Sequence, residues 1–203
     1  MEKSKTTESR IVEAAKMVFL RDGFSGARMQ TIADEAGINK AMLHYYFRSK
    51  DKLFDVIFEE TLGKIVAVLN DVITVSMPVE EKIARFVDEY LSLLQANPHM
   101  PLFVLSELSR NPGALTDKLK KVAENKSVIL NFASEIKELA TRHGNNLHPA
   151  TIFINILSLC VFPFIGKPLI QLVLDINDAQ FTQMIDIRKK EITTLILNQI
   201  KQA

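Results

Sequence analysis

Apolar residues recur along this chain at spacings of three and four almost from end to end, with polar residues filling the positions between them. That is the period of helices that each turn one face to a core. No stretch keeps the strict alternation of a half-buried strand, and no Asn-Gly hairpin signal occurs. Ile11, Ala15, Val18 and Phe19 form the inner face of a first helix that Thr6 or Thr7 caps and Gly23 stops. A short second helix spans 29–36, with Ile32 and Ala33 inward and Gly37 after it. Asn39 caps a third over 40–47, and Ser49 caps a fourth that passes Leu53, Val56 and Ile57 towards Ile73.

Proline then punctuates the pattern. Pro78 opens a helix in which Val79, Ile83, Phe86, Val87, Tyr90, Leu91 and Leu94 keep one face without a gap. Pro98 and Pro101 set off a shorter helix that ends at Asn111-Pro112-Gly113, and a long one fills 115–143 up to Gly144. His148-Pro149 starts an apolar helix terminated by Pro163 and Gly166. A last helix covers 178–202, with Phe181, Met184, Ile185, Ile192, Leu195, Ile196 and Ile200 on one stripe. The reading is all-α, about nine helices and no sheet, with an N-terminal head over 1–48 and a larger body over 49–203.

Charge changes the picture where composition does not. The 203 residues are nearly neutral, with 25 Lys/Arg and 24 Asp/Glu. Residues 1–50 nonetheless hold nine of the cations and only six of the acids, and 39–50 contain no acid at all. A basic head on a near-neutral body suits a polyanionic partner. Cys160 is alone in an apolar run, so no disulfide framework exists, and the start MEKSKTTESR lacks an apolar signal core. The stretch 152–165, interrupted by Asn155 and Pro163, is shorter than the roughly 20 residues of a bilayer span. A cytoplasmic protein with no membrane partner is expected.

The head carries the readable chemistry. Two helices joined by a tight glycine turn, the second short and studded with long polar side chains, have the layout of a helix-turn-helix. Ala33 and Ala36 allow close approach, and Gly37 supplies a left-handed turn at little cost. Ile38, Leu43 and Phe47 point inward, which leaves Lys40, Ala41, Met42, His44 and Tyr45 outward, while Tyr46 and Phe47 are expected in the packing. A helix of this length fits the major groove, where polar groups read base edges and apolar ones touch the thymine methyl. Ser49 and Lys50, opening the fourth helix, offer free N–H groups and a cation to a phosphate.

The segment GFSGARMQTIADEAGINKAMLHYYFRSKDKLF resembles the DNA-binding domain of the TetR/AcrR family of bacterial one-component repressors. The likeness covers about residues 7–54, from Ile32-Ala33 through Ala36-Gly37-Ile38 to Tyr46-Phe47 and Ser49-Lys50-Leu53. It implies that the third helix reads the major groove and that phosphates are held at Arg28, Thr31, Lys40, His44, Tyr45 and Lys50. Arg28 stands where the family often has a capping Ser or Thr, and His44 where a Tyr is frequent. The resemblance further implies a helical regulatory body whose last two large helices pair with a second copy, and a palindromic double-stranded DNA operator released by a small-molecule effector.

The body has no motif of its own. Leu62, Ile65, Phe86, Tyr90, Met100, Phe103, Phe132, Phe153, Leu157 and Cys160 are candidates to line a site for a largely apolar effector, with ordinary core packing as the rival reading of each. Glu107, four residues after Phe103, reads either as an acceptor for a cationic effector or as a solvated surface acid. No Gly-rich phosphate loop and no His-Glu-x-x-His occur, and His99, His143, His148 and Cys160 would have to converge from distant helices to bind a metal. No cofactor, metal or catalysis is expected. The alternatives are an all-α ligand-binding dimer, or a small helical enzyme, neither binding DNA.

Overall fold

The computed structural model describes residues 6–110 and 126–202, which contain ten helices and no strand. They are α1 (Thr7–Gly26), α2 (Met29–Glu35), α3 (Lys40–Tyr46), α4 (Lys50–Ile73), α5 (Val79–Ala96), α6 (Met100–Arg110), α7 (Lys126–Arg142), α8 (Pro149–Ile165), α9 (Lys167–Leu174) and α10 (Asp178–Lys201). The expected stop at Asn111-Pro112-Gly113 and the first part of the expected 115–143 helix lie outside the described residues. The all-α reading holds, with α9 as the helix the sequence reading leaves out. Gly166 closes α8 and Pro168 sits in the first turn of α9, so the chain turns and restarts within one residue.

Most boundaries follow from local side chains. Thr6 Oγ1 accepts from Ser9 N at 3.2 Å, and Asn39 Oδ1 from Met42 N at 2.7 Å. Ser49 Oγ accepts from Lys52 N at 3.2 Å, and Asn177 and Gln180 form a reciprocal capping box that opens α10. Gly23 interrupts α1 with φ +67°, and a final turn carries on to Gly26.

The described residues pack as two compact units, one within 6–63 and 102–110 and the other within 64–101 and 126–202. The core of the first joins Ile11, Ala15, Val18 and Phe19 of α1 to Ile32 and Ala33 of α2 and Leu43 of α3. It also takes Leu53, Phe54, Ile57 and Phe58 of α4 and Phe103 of α6. In the second unit α10 packs on α5, α7 and α8, and the α5 stripe from Val79 to Leu94 is buried as expected. Lys82 is buried there too, its ammonium 2.8 Å from both carboxylate oxygens of Glu135.

Helix α8 buries Ile152, Ile156, Cys160 and Phe164 and exposes Ile154, Leu157 and Phe162. Two expectations fail in this second unit. Leu195 leaves the buried stripe of α10 and is exposed. Nor does Pro163 end α8, which continues to Ile165. Proline brings no N–H, so the Leu159 carbonyl four residues earlier loses its helical donor. Arg188 of α10 replaces it, Nη2 donating to Leu159 O at 3.2 Å. No single helix among the described residues is long and apolar enough to cross a membrane.

Burial pushes the Cys160 thiol up to about 12, against a smaller opposing pull from the nearby Arg188 charge. Its folded pKa is therefore raised, so this contribution to stability is complete below about pH 9 and is lost as pH rises towards 12. The native protein should resist Ellman's reagent near neutral pH and release one thiol equivalent per chain on denaturation. Rapid labelling of the folded protein would contradict this closed core.

Candidate nucleic-acid interface

The turn between α2 and α3 is built by backbone chemistry that requires Gly37. Its φ is +66°, and two bonds close the end of α2: Ile38 N donates to Ala33 O at 3.0 Å and Gly37 N to Asp34 O at 3.1 Å. Arg10 reaches across from α1 and Nη2 donates to Ala36 O at 2.5 Å and Gly37 O at 3.3 Å. A Cβ on Gly37 would lie 3.0 Å from that nitrogen, so space and conformation both select glycine. Arg10 escapes the sequence reading because its partners are two main-chain carbonyls that no side-chain pattern reveals.

Helix α3 divides cleanly. Leu43 is fully buried and Phe47 just beyond the helix nearly so, whereas Lys40, Ala41, Met42, His44 and Tyr45 are exposed, Tyr45 at 84%. One expectation is corrected. Tyr46 is exposed rather than packed, and its ring stands edge-on to Tyr45 at 5.5 Å. The inner face is taken by Leu43 and by Phe47, whose extended backbone ends the helix just after Tyr46. Two phenols side by side therefore extend the polar face, and exposed Arg48 follows them. Arg28 precedes α2 in extended conformation with no capping bond, its side chain exposed, and Thr31 is partly buried in the first turn.

Lys50 does more within the fold than the sequence suggests. Its ammonium donates to Phe24 O at 2.7 Å and Ala27 O at 3.0 Å, and it lies 4.6 Å from the centre of the Phe24 ring. Two of its three protons thus tie the start of α4 to the last turn of α1 and the entry to α2. One remains for an outside acceptor.

The candidate effector residues do not share one core. Leu62 and Phe103 belong to the first unit, where Phe103 packs at 4.9 Å on Phe54 and 6.0 Å on Phe58. Glu107 is buried one turn after Phe103 and so is not a solvated acid. Phe86, Tyr90, Met100, Phe132 and Cys160 are in the second core, with Ile65 and Phe153 packed against it. Phe86 stacks on Tyr90 at 5.5 Å and Phe132 meets Phe153 edge-on at 5.6 Å. Burial raises the Tyr90 phenol well above its ordinary range. Leu157 is exposed and faces away from that core. Two surface hollows, of about 420 Å³ beside the Lys82–Glu135 pair and about 330 Å³ near Asp22 and Ser106, are lined by other residues. Among the described residues no three His, Cys, Asp or Glu side chains come together as metal ligands.

Residues 11–57 match the model of the bacterial regulatory proteins, tetR family. The chain is 22% identical over 122 residues to the fatty acid metabolism regulator protein of Bacillus subtilis, a match covering 60% of this chain and 63% of that one. It is 33% identical over 95 residues to the HTH-type transcriptional repressor SCO4008 of Streptomyces coelicolor, covering 46% and 45%. Neither match reaches two thirds of the relative's own length. The fold is shared with the transcriptional regulator FadR from Bacillus subtilis, solved in complex with stearoyl-CoA, at TM-score 0.64 and 17% identity over 94% of this chain and 97% of that one.

Lys50→Met keeps an apolar stem near Phe24 and removes both carbonyl bonds. It should destabilise the protein by about 1.5–3 kcal/mol, the range for hydrogen bonds from a charged donor, and lower the urea midpoint at unchanged slope. A variant as stable as the parent would show that the two bonds contribute nothing.

Proposed function

The chain belongs, through its N-terminal domain, to the tetR family of bacterial regulatory proteins, and on that premise we propose a homodimeric, ligand-responsive transcriptional repressor. Residues 1–48 are its DNA-binding domain and 49–203 its ligand-binding and dimerisation domain. The observation that carries this reading is the α3 face, acid-free and exposed, held on the Gly37 turn. Ala41 and Met42 suit thymine methyls, and His44 and Tyr45 suit base edges or phosphates. Arg28, Thr31, Lys40 and the third proton of Lys50 supply phosphate contacts that set register and carry no sequence information.

The partner copy covers apolar surface that a lone chain exposes: Ile154, Leu157 and Phe162 on α8, with Ile187 and Leu195 on α10. Two copies then place their α3 helices in successive major grooves, about 34–36 Å apart on one face of a palindromic operator. The effector is a long-chain acyl compound. Support for that class is the Phe-rich second core together with relatives that regulate fatty acid metabolism or bind stearoyl-CoA. Helices α4 and α6 each supply residues to both cores, Phe54 and Ile73 from one and Phe103 and Met100 from the other. An effector that prefers one arrangement of the body therefore biases the head through them. In this reading the protein acts by binding and carries no catalytic centre.

Selection from a random duplex pool should enrich an inverted repeat, and sedimentation should give twice the 22.9 kDa chain mass. Lys40→Ala should weaken binding to all sequences alike and flatten the log-affinity against log-salt slope by roughly 1.8, at about 0.9 per contact in each of two half-sites. Met42→Ala should instead alter base preference, by about 1–3 kcal/mol at the position it reads. If no motif emerges from the pool, the DNA-binding reading is wrong.

A further inference from the structure

Arg188 sits where a hydrophobic residue would be expected. It falls three residues after Ile185 and four before Ile192, on the stripe of α10 that buries Phe181, Ile185, Ile192, Ile196 and Ile200. Its neighbour Ile187, not Arg188, faces outward. Of the five N–H donors of a guanidinium, one is committed, to the Leu159 carbonyl that Pro163 leaves without a helical donor. Nε is buried and has no hydrogen-bond partner.

The charge is likewise unanswered, since no carboxylate pairs with Arg188 among the described residues. The acids around it are otherwise placed: Asp186 accepts from Gln95, Asp88 pairs with Lys189, and Glu191 is exposed. Lys82, a buried cation of this unit, has Glu135 on both oxygens. A carbonyl needs only one neutral donor, so satisfying Leu159 does not explain a whole guanidinium. A partly buried guanidinium without a counter-charge is costly to keep, and its planar fork matches a carboxylate on two bonds.

We propose that Arg188 receives the carboxylate of the effector, so that the ligand is a free long-chain fatty acid with its anionic end beside α8. The proposal rests on the acyl-effector reading above and deepens it. It also gives the ligand a route to the quaternary state. The same guanidinium that holds Leu159 of α8 from α10 would be drawn towards the carboxylate, and these two helices carry the surface assigned to the partner copy.

Two probes of equal chain length isolate the head group, hexadecanoate and hexadecan-1-ol, each competed against the neutral dye Nile red on the full-length protein below micellar concentrations. The acid should bind about ten- to hundredfold more tightly than the alcohol, as expected for a charged hydrogen-bonded pair. Arg188→Gln keeps a donor for Leu159 O but no charge, and should bring that ratio to about one. Arg188→Lys, which keeps charge without the fork, should give an intermediate ratio, and the parent's own ratio decides the matter should the glutamine variant fail to fold. Equal affinities for acid and alcohol in the parent would overturn the role of Arg188 and leave the acyl effector standing. Failure of both probes to bind would overturn the acyl effector as well. A preference for the acid that survives in Arg188→Gln would place the carboxylate elsewhere.

Discussion

Phe54 is the contact on which the head depends. Its ring meets Phe19 at 5.1 Å and Phe24 at 5.0 Å, both edge-on, and lies tilted against Phe103 at 4.9 Å. One side chain of α4 thereby fixes the end of α1 and a turn of α6. One turn earlier Lys50 ties the same helix to the carbonyls of Phe24 and Ala27 and lies against the Phe24 ring. Helices α2 and α3 are only seven residues each, too short to be stable alone. What they present outward is therefore set by this aromatic junction and by Arg10 at the Gly37 turn.

The sequence was most legible where the physics is local. Caps at Thr6, Asn39 and Ser49, the left-handed turn at Gly37 and the stripe of α5 each depend on residues within a few positions, and each was found as read. The outward set on α3 was legible for the same reason, since Leu43 and Phe47 define its inner face. Tyr46 was misplaced because its exposure depends on α3 ending at Phe47, whose backbone is already extended.

Long-range polar ties were not legible. Nothing in the sequence marks the ties of Lys50, Arg10 and Arg188, each of which donates to a main-chain carbonyl between 23 and 29 residues away. Carbonyls carry no residue identity, so no pattern announces them. The division of α8 into a buried and an exposed face was hidden too, because both faces are apolar and hydropathy cannot tell them apart. The candidate effector residues suffered from the same ambiguity. Aromatic content alone could not say that Phe103 holds the head while Phe132 and Phe153 pack in the other core.

The central claim is geometric: two copies of one α3 face, held rigidly, meet one face of a duplex. Hydroxyl-radical footprinting of the full-length protein on a selected duplex measures this directly. The account predicts protected patches in two half-sites whose centres lie about one helical turn, 10–10.5 base pairs, apart and on the same side of the helix. A single protected patch, or uniform protection that tracks no sequence, would contradict it.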